Sequence, residues 1–210
     1  MILLLSLFLS VLILLYLFYP AIKVIGKSID VGVDDLILTN NDNTKQQQPI
    51  LSIIIPAYNE EERLPPMLLE TYTYLTKNRK DITNLCHAAT LSCCTSEKQT
   101  QNTSSFELIV VDDGSIDDTR IKTIDFVNQH VNVSNKDAGG AGDSFRLITL
   151  HQNSGKGAAV RAGMIRAKGA LCLMADADGA TDITDGLPAV LKEMANVVTT
   201  TTTTTTKGKS

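Results

Sequence analysis

"PILSIIIPAYNEEERLPPMLLETYTYL", residues Pro49–Leu75, carries the first signal of the fold. Its opening, Leu51–Ile55, is short and rich in isoleucine, as expected of a strand buried on both faces. A polar loop around Asn59 follows, and the leucine-rich stretch to Leu75 reads as a helix. Strand, loop and helix in that order form the first half of a repeating α/β unit.

The unit recurs downstream. "FELIVVDDGS" (106–115) reads as a second strand ending in a turn. Ile121, Ile124 and Val127 then stand near helical spacing. "FRLITL" (145–150) is a strand, "GKGAAVRAGMIRAKG" (155–169) a helix, "ALCLMA" (170–175) a strand, and a last helix is expected over about Asp185–Ala195. The alternation predicts an α/β domain with a mainly parallel sheet and flanking helices. Ligands of such sheets bind at the carboxyl ends of the strands. Three strand ends carry polar clusters here, "PAYNE", "DDGS" and "DAD". Residues 77–104 are polar and irregular and read as an inserted surface loop, and the glycine-rich stretch 132–144 as another.

The 210 residues suffice for one domain and an appendage. A net charge of -4 and a pI near 5.3 give no reason to expect nucleic acid as a partner. Cys86, Cys93, Cys94 and Cys172 suit neither a zinc site nor a disulfide framework, so reduced thiols are expected, with Cys172 as a small core residue. From Ile2 to Tyr19 only Ser6 and Ser10 interrupt an apolar run, which Pro20, Lys23 and Lys27 close. That suits a single uncleaved transmembrane helix over 1–25, with the rest of the chain in the cytosol by the positive-inside rule. A cleaved signal peptide is the competing reading. It would expose the sequons Asn102-Thr103-Ser104 and Asn132-Val133-Ser134 to glycosylation. Residues 26–49 read as a polar linker, 50–198 as the folded domain, and 199–210, with its eight threonines, as a disordered tail.

"LCLMADADGATD" (171–182) places Asp176 and Asp178 two positions apart, so in an extended segment they project to one side. Hard cations such as Mg²⁺ or Mn²⁺ take one or two carboxylates together with substrate phosphates. An EF-hand is excluded by its glycine and glutamate spacing. "DADGAT" also resembles the nucleophile motif of haloacid-dehalogenase-type phosphatases, but those need essential lysine and acidic residues later in the chain. Asp112 and Asp113 fit turn-capping as well as ligand binding. Lys156, near a helix start, fits a phosphate contact or a solvated lysine equally.

Taken together and in order, "SIIIPAYNEEERLP", "FELIVVDDGSIDDT", "HQNSGKGAAVRAGM" and "LCLMADADGATD" resemble family-2 glycosyltransferases of the GT-A, Rossmann-like fold. "GKGAAVRAGM" and "DADGAT" look like the branch acting on dolichyl phosphate with UDP-glucose. The resemblance implies that Pro56, Ala57, Tyr58 and Glu60 line the nucleotide pocket and that Asp112 and Asp113 accept hydrogen bonds from uracil and ribose. It implies Lys156 on phosphate, and Asp176 and Asp178 as catalytic residues on a Mg²⁺ or Mn²⁺ bridging the diphosphate. The implied reaction is inverting transfer of glucose to dolichyl phosphate at the endoplasmic reticulum membrane, for protein N-glycosylation. A mannosyl-transferring relative is the alternative. Because the chain ends at the threonine tract and has no tryptophan, a truncated product without its acceptor half is also expected, an inactive nucleotide-sugar-binding remnant being the other reading.

Overall fold

The computed structural model describes residues 33–39, 48–90, 105–131, 143–180 and 182–206. The chain divides into a unit of residues 1–33 and a unit of residues 34–210. Apart from Val33, everything described belongs to the second. The expected anchor over 1–25, both sequons and the glycine-rich stretch up to residue 142 lie outside the described residues. Among the described residues no helix is long and apolar enough to cross a membrane.

Five strands form one sheet: β1 (Val33–Ile37), β2 (Leu51–Ala57), β3 (Phe106–Asp112), β4 (Ser144–Leu150) and β5 (Leu171–Met174), in the order β1-β4-β3-β2-β5. β2 runs parallel to β3 and to β5, and β3 parallel to β4. The expected α/β architecture with a mainly parallel sheet is therefore present. Every residue of β2 and β3 is buried, which explains why these strands read as mostly apolar runs.

The two sheet faces take alternate residues. Leu51, Ile53, Ile55, Phe106, Leu108, Val110, Phe145 and Leu147 share one core with helix α1 (Leu64–Lys77), through Leu64, Leu68 and Leu75. Pro65 and Pro66 start α1, where their missing N–H groups cost nothing. On the other face lies helix α4 (Lys156–Arg166), which comes so close that a Cβ on Gly163 would sit 2.4 Å from Ile54 Cγ2. Helix α3 (Thr119–Phe126) continues into a π turn at Val127–Val131, whose Val127 and Val131 join the first core.

Four features depart from the sequence reading. The linker over 26–49 contains β1, an edge strand exposed on most of its length, so it carries no apolar pattern. The loop over 77–104 begins with helix α2 (Arg79–Thr90), whose buried stripe Ile82, Cys86 and Ala89 is masked by its polar composition. Helix α5 (Ile183–Thr206) extends through the threonines expected to be disordered. Its buried Ile183, Leu187 and Leu191 anchor the start, and propagation from a formed helix is far easier than nucleation. Cys172 is exposed, because alternate residues of the outer strand β5 face away from the core.

Cys86 is fully buried under α2, and burial pushes its thiol up to about 12. Iodoacetamide at pH 8 should therefore label Cys172 in the native protein and Cys86 only after unfolding, with rates about a hundredfold apart. Peptide mass mapping reads this directly. Equal labelling would mean that α2 does not pack as described.

The amino ends of the strands are tied by one buried carboxylate. Glu107 of β3 is completely inaccessible. Its Oε2 accepts the hydroxyl of Ser52 on β2 and the Lys168 N–H (2.8 Å), and its Oε1 faces Arg146 Nη1 of β4 at 3.4 Å. Arg146 Nη1 also donates to the Arg166 carbonyl at 2.6 Å, and the guanidinium pairs with Asp35 of β1. The cluster joins all strands but β5 to the end of α4, and it lies at the opposite end of the sheet from the three acidic motifs.

Candidate active site

At the carboxyl ends of β2 and β3 the two following loops grip one another. Asn59 N–H donates to Ser115 Oγ, and Ile116 N–H donates back to Asn59 Oδ1, both at 3.0 Å. Glu60 N–H reaches Thr119 Oγ1 at 2.7 Å, Glu61 N–H reaches Asp117 Oδ2 at 3.2 Å, and Asp118 N–H reaches Glu61 Oε2 at 2.9 Å. Asn59 takes a left-handed backbone (φ 55°), which asparagine tolerates better than most residues. Burial acts to raise the Asp117 carboxyl, but the Thr119 hydroxyl and the N–H groups of Thr119 and Glu61 outweigh it and hold it below the usual range. A depressed folded value means that this carboxylate stabilises the loops fully above its unfolded pKa of about 4 and loses that effect as pH falls through the lower folded value.

Pro56 and Ala57 are buried at the end of β2, and the Ala57 carbonyl accepts Asp113 N–H at 2.8 Å. They form a fixed floor. Tyr58 follows with 42% of its surface exposed, an aromatic face open to a planar ligand. Glu60 pairs with the exposed Arg63, whose Nε and Nη2 lie 2.7 and 2.8 Å from its two carboxylate oxygens.

Asp112 and Asp113 are both buried. Asp112 Oδ1 accepts Ser115 N–H at 2.9 Å and closes the turn. Asp113 accepts Ser154 N–H on one oxygen at 2.8 Å and Gly155 N–H on the other at 2.7 Å. Gly114 (φ 70°) lets the 152–155 loop pass, since a Cβ there would meet backbone atoms of Gln152 and Asn153 at 2.7 Å. Asp113 thus sets the loop that leads into α4 and places Lys156 at its first position. Asp113→Asn keeps the shape but offers one acceptor where two N–H groups need partners. Gly155 N–H keeps Asn153 Oδ1 at 3.1 Å, so amide exchange should speed up chiefly at Ser154, about 10- to 100-fold, the range for losing a part-buried hydrogen bond. Unchanged exchange would remove Asp113 from this role.

β5 ends at Met174, and Ala175 N–H still pairs with the Ile54 carbonyl at 3.0 Å. Beyond it Ala177 is buried, Asp176 is half-buried, and Asp178 is exposed. Asp178 Oδ1 accepts Ala180 N–H at 2.9 Å, across a turn in which Gly179 has φ 70°. Lys156 Nζ pairs with Asp176 Oδ1. The structure therefore brings Lys156 to Asp176 from twenty residues away. Among the described residues no three His, Cys, Asp or Glu side chains cluster as a metal cage. Two hard oxygen donors fit Mg²⁺ or Mn²⁺ held jointly with phosphate oxygens and do not fit a structural metal centre.

The loop-locking residues Asn59, Ser115, Asp117 and Thr119 escape the sequence reading, although "GSIDDT" carries the Ser, Asp and Thr pattern of turns and helix caps. Residues 52–207 match the family described as "Glycosyl transferase family 2". The chain belongs to this family. Among its relatives, the dolichyl-phosphate beta-glucosyltransferase of Mus musculus is 38% identical over 135 residues, covering 64% of this chain and 33% of that protein. The human one is 36% identical with the same coverage. The Saccharomyces cerevisiae one is 29% identical over 196 residues, 87% of this chain and 48% of that protein. The chain thus spans about a third to a half of the length of these relatives. A crystal structure of S. aureus TarS 1-349 in complex with UDP aligns at a TM-score of 0.36 and 23% identity over 61% of this chain and 27% of that one, too slight a likeness to carry an argument.

Proposed function

We propose that this family-2 chain transfers glucose from UDP-glucose to dolichyl phosphate, giving dolichyl β-D-glucosyl phosphate for protein N-glycosylation. The observation that carries the reading is the meeting of Lys156 and Asp176 at the carboxyl end of the sheet, beside the floor formed by β2. A cation and an anion placed there suit a diphosphate and its divalent ion. The choice of sugar and acceptor rests on the names of the relatives.

In this reading Tyr58 stacks on the uracil and the rigid loops around Asn59 and Ser115 orient the nucleoside. Lys156 and the start of α4 attract phosphate. Asp176 and Asp178 hold Mg²⁺ or Mn²⁺, which would offset the charge that develops on departing UDP. The acceptor phosphate is already anionic near neutral pH, so a strong general base is not required. The apolar run Ile2–Tyr19, closed by Lys23 and Lys27, supports a single-pass anchor in the endoplasmic reticulum membrane with the domain on the cytosolic side. A lipid acceptor that stays in the bilayer makes such an anchor useful.

The test supplies membranes carrying the full chain with dolichyl phosphate, Mg²⁺ or Mn²⁺, and labelled UDP-glucose or GDP-mannose in parallel. Glucosyl lipid is the expected product. Mannosyl lipid would overturn the choice of sugar. UDP-glucose binding with no lipid product would overturn transfer and leave nucleotide-sugar binding without turnover.

A further inference from the structure

We infer that Lys156 is an internal competitor of the metal ion, so that cation and diphosphate each favour the other's entry to the site. The inference rests on the donor-site reading above and adds an order to it. The ammonium of Lys156 lies on Asp176 Oδ1, one of the two oxygens through which that carboxylate would hold a cation. Lysine brings three donors, no acceptor and a positive charge, so ammonium and divalent ion exclude one another at that oxygen.

The contact is built from backbone that cannot drift. Lys156 opens α4 directly after the loop that Asp113 fixes through Ser154 and Gly155. Asp176 follows the strand pairing that continues to Ala175. The Lys156 side chain is the longer and more exposed of the two, 57% against 32% for Asp176, and it is the one with room to swing. A diphosphate arriving at the start of α4 offers it several negative oxygens in place of one carboxylate. Once it turns to them, Asp176 is released to the cation. Breaking one ion pair then serves two ligands, which is positive coupling, and each ligand must raise the affinity of the other by the same factor.

An exposed pair of this kind sets the size of the effect at about fivefold. Lys156→Met should bind Mn²⁺ about five times more tightly than the wild type when no nucleotide is present. UDP should raise its Mn²⁺ affinity by a factor about five times smaller than in the wild type. Lys156→Arg, which can keep the pair, should retain the wild-type coupling. Electron paramagnetic resonance of unbound Mn²⁺, titrated into the full chain in detergent at low salt with and without UDP, measures all three. If Lys156→Met leaves Mn²⁺ affinity unchanged while the wild type binds Mn²⁺ with UDP, the competitor role is wrong and the donor site stands. If the wild type binds no Mn²⁺ even with UDP, the donor site itself falls and the coupling falls with it.

Discussion

Glu107→Ala should lower the unfolding free energy by about 3–5 kcal/mol, the range for removing one partner of a buried ion pair. The carboxylate is fully enclosed, and its loss leaves Ser52, the Lys168 N–H and the nearly buried Arg146 guanidinium short of a partner at once. Arg146 keeps Asp35 and the Arg166 carbonyl, so it stays charged in a site built for two anions. Arg146→Met alone should cost a comparable amount. The double variant should cost clearly less than the sum, because neither charge is then stranded. With no tryptophan in the chain, urea unfolding is best followed by far-ultraviolet circular dichroism. Strict additivity, or a cost below about 1 kcal/mol for Glu107→Ala, would show that the cluster is not the tie it is taken for.

In the proposed reaction, Asp178→Asn should lower kcat/KM for glucosyl transfer about 100- to 1000-fold, the usual loss when one charge-stabilising group is removed. Asparagine retains an Oδ1 that can still accept Ala180 N–H, so the turn after β5 should survive. Circular dichroism should be unchanged while metal-dependent activity is lost. Asp176→Asn is the less clean variant, since it also takes away the partner of Lys156. A loss below about tenfold for Asp178→Asn would remove Asp178 from the metal site.

The buried strands were legible because a strand covered on both faces is mostly apolar, as β2 and β3 are apart from Ser52, Glu107 and Asp112. The edges were not. β1 meets only one neighbour and carries Asp34 and Asp35 within five residues, a pattern that composition alone assigns to a linker. Part of the candidate site stood out for a related reason. Asp176 and Asp178 stand out because two nearby carboxylates are costly without a counterion. The positions of Asp112 and Asp113 were legible and their work was not, since a buried carboxylate before a glycine serves a ligand or a neighbouring loop with the same residues. Only the bonds from Ser154 and Gly155 show which loop Asp113 holds.

The reciprocal bonds between the loops after β2 and β3 have a kinetic consequence. Five hydrogen bonds between Asn59–Glu61 and Ser115–Thr119 are already made. In the proposed donor site, a nucleoside settling against that wall would have no segment of it left to order, so little conformational entropy would oppose the encounter. Donor association through this wall should follow ordinary bimolecular rates that rise in proportion to concentration, without the plateau that a slow loop closure would impose.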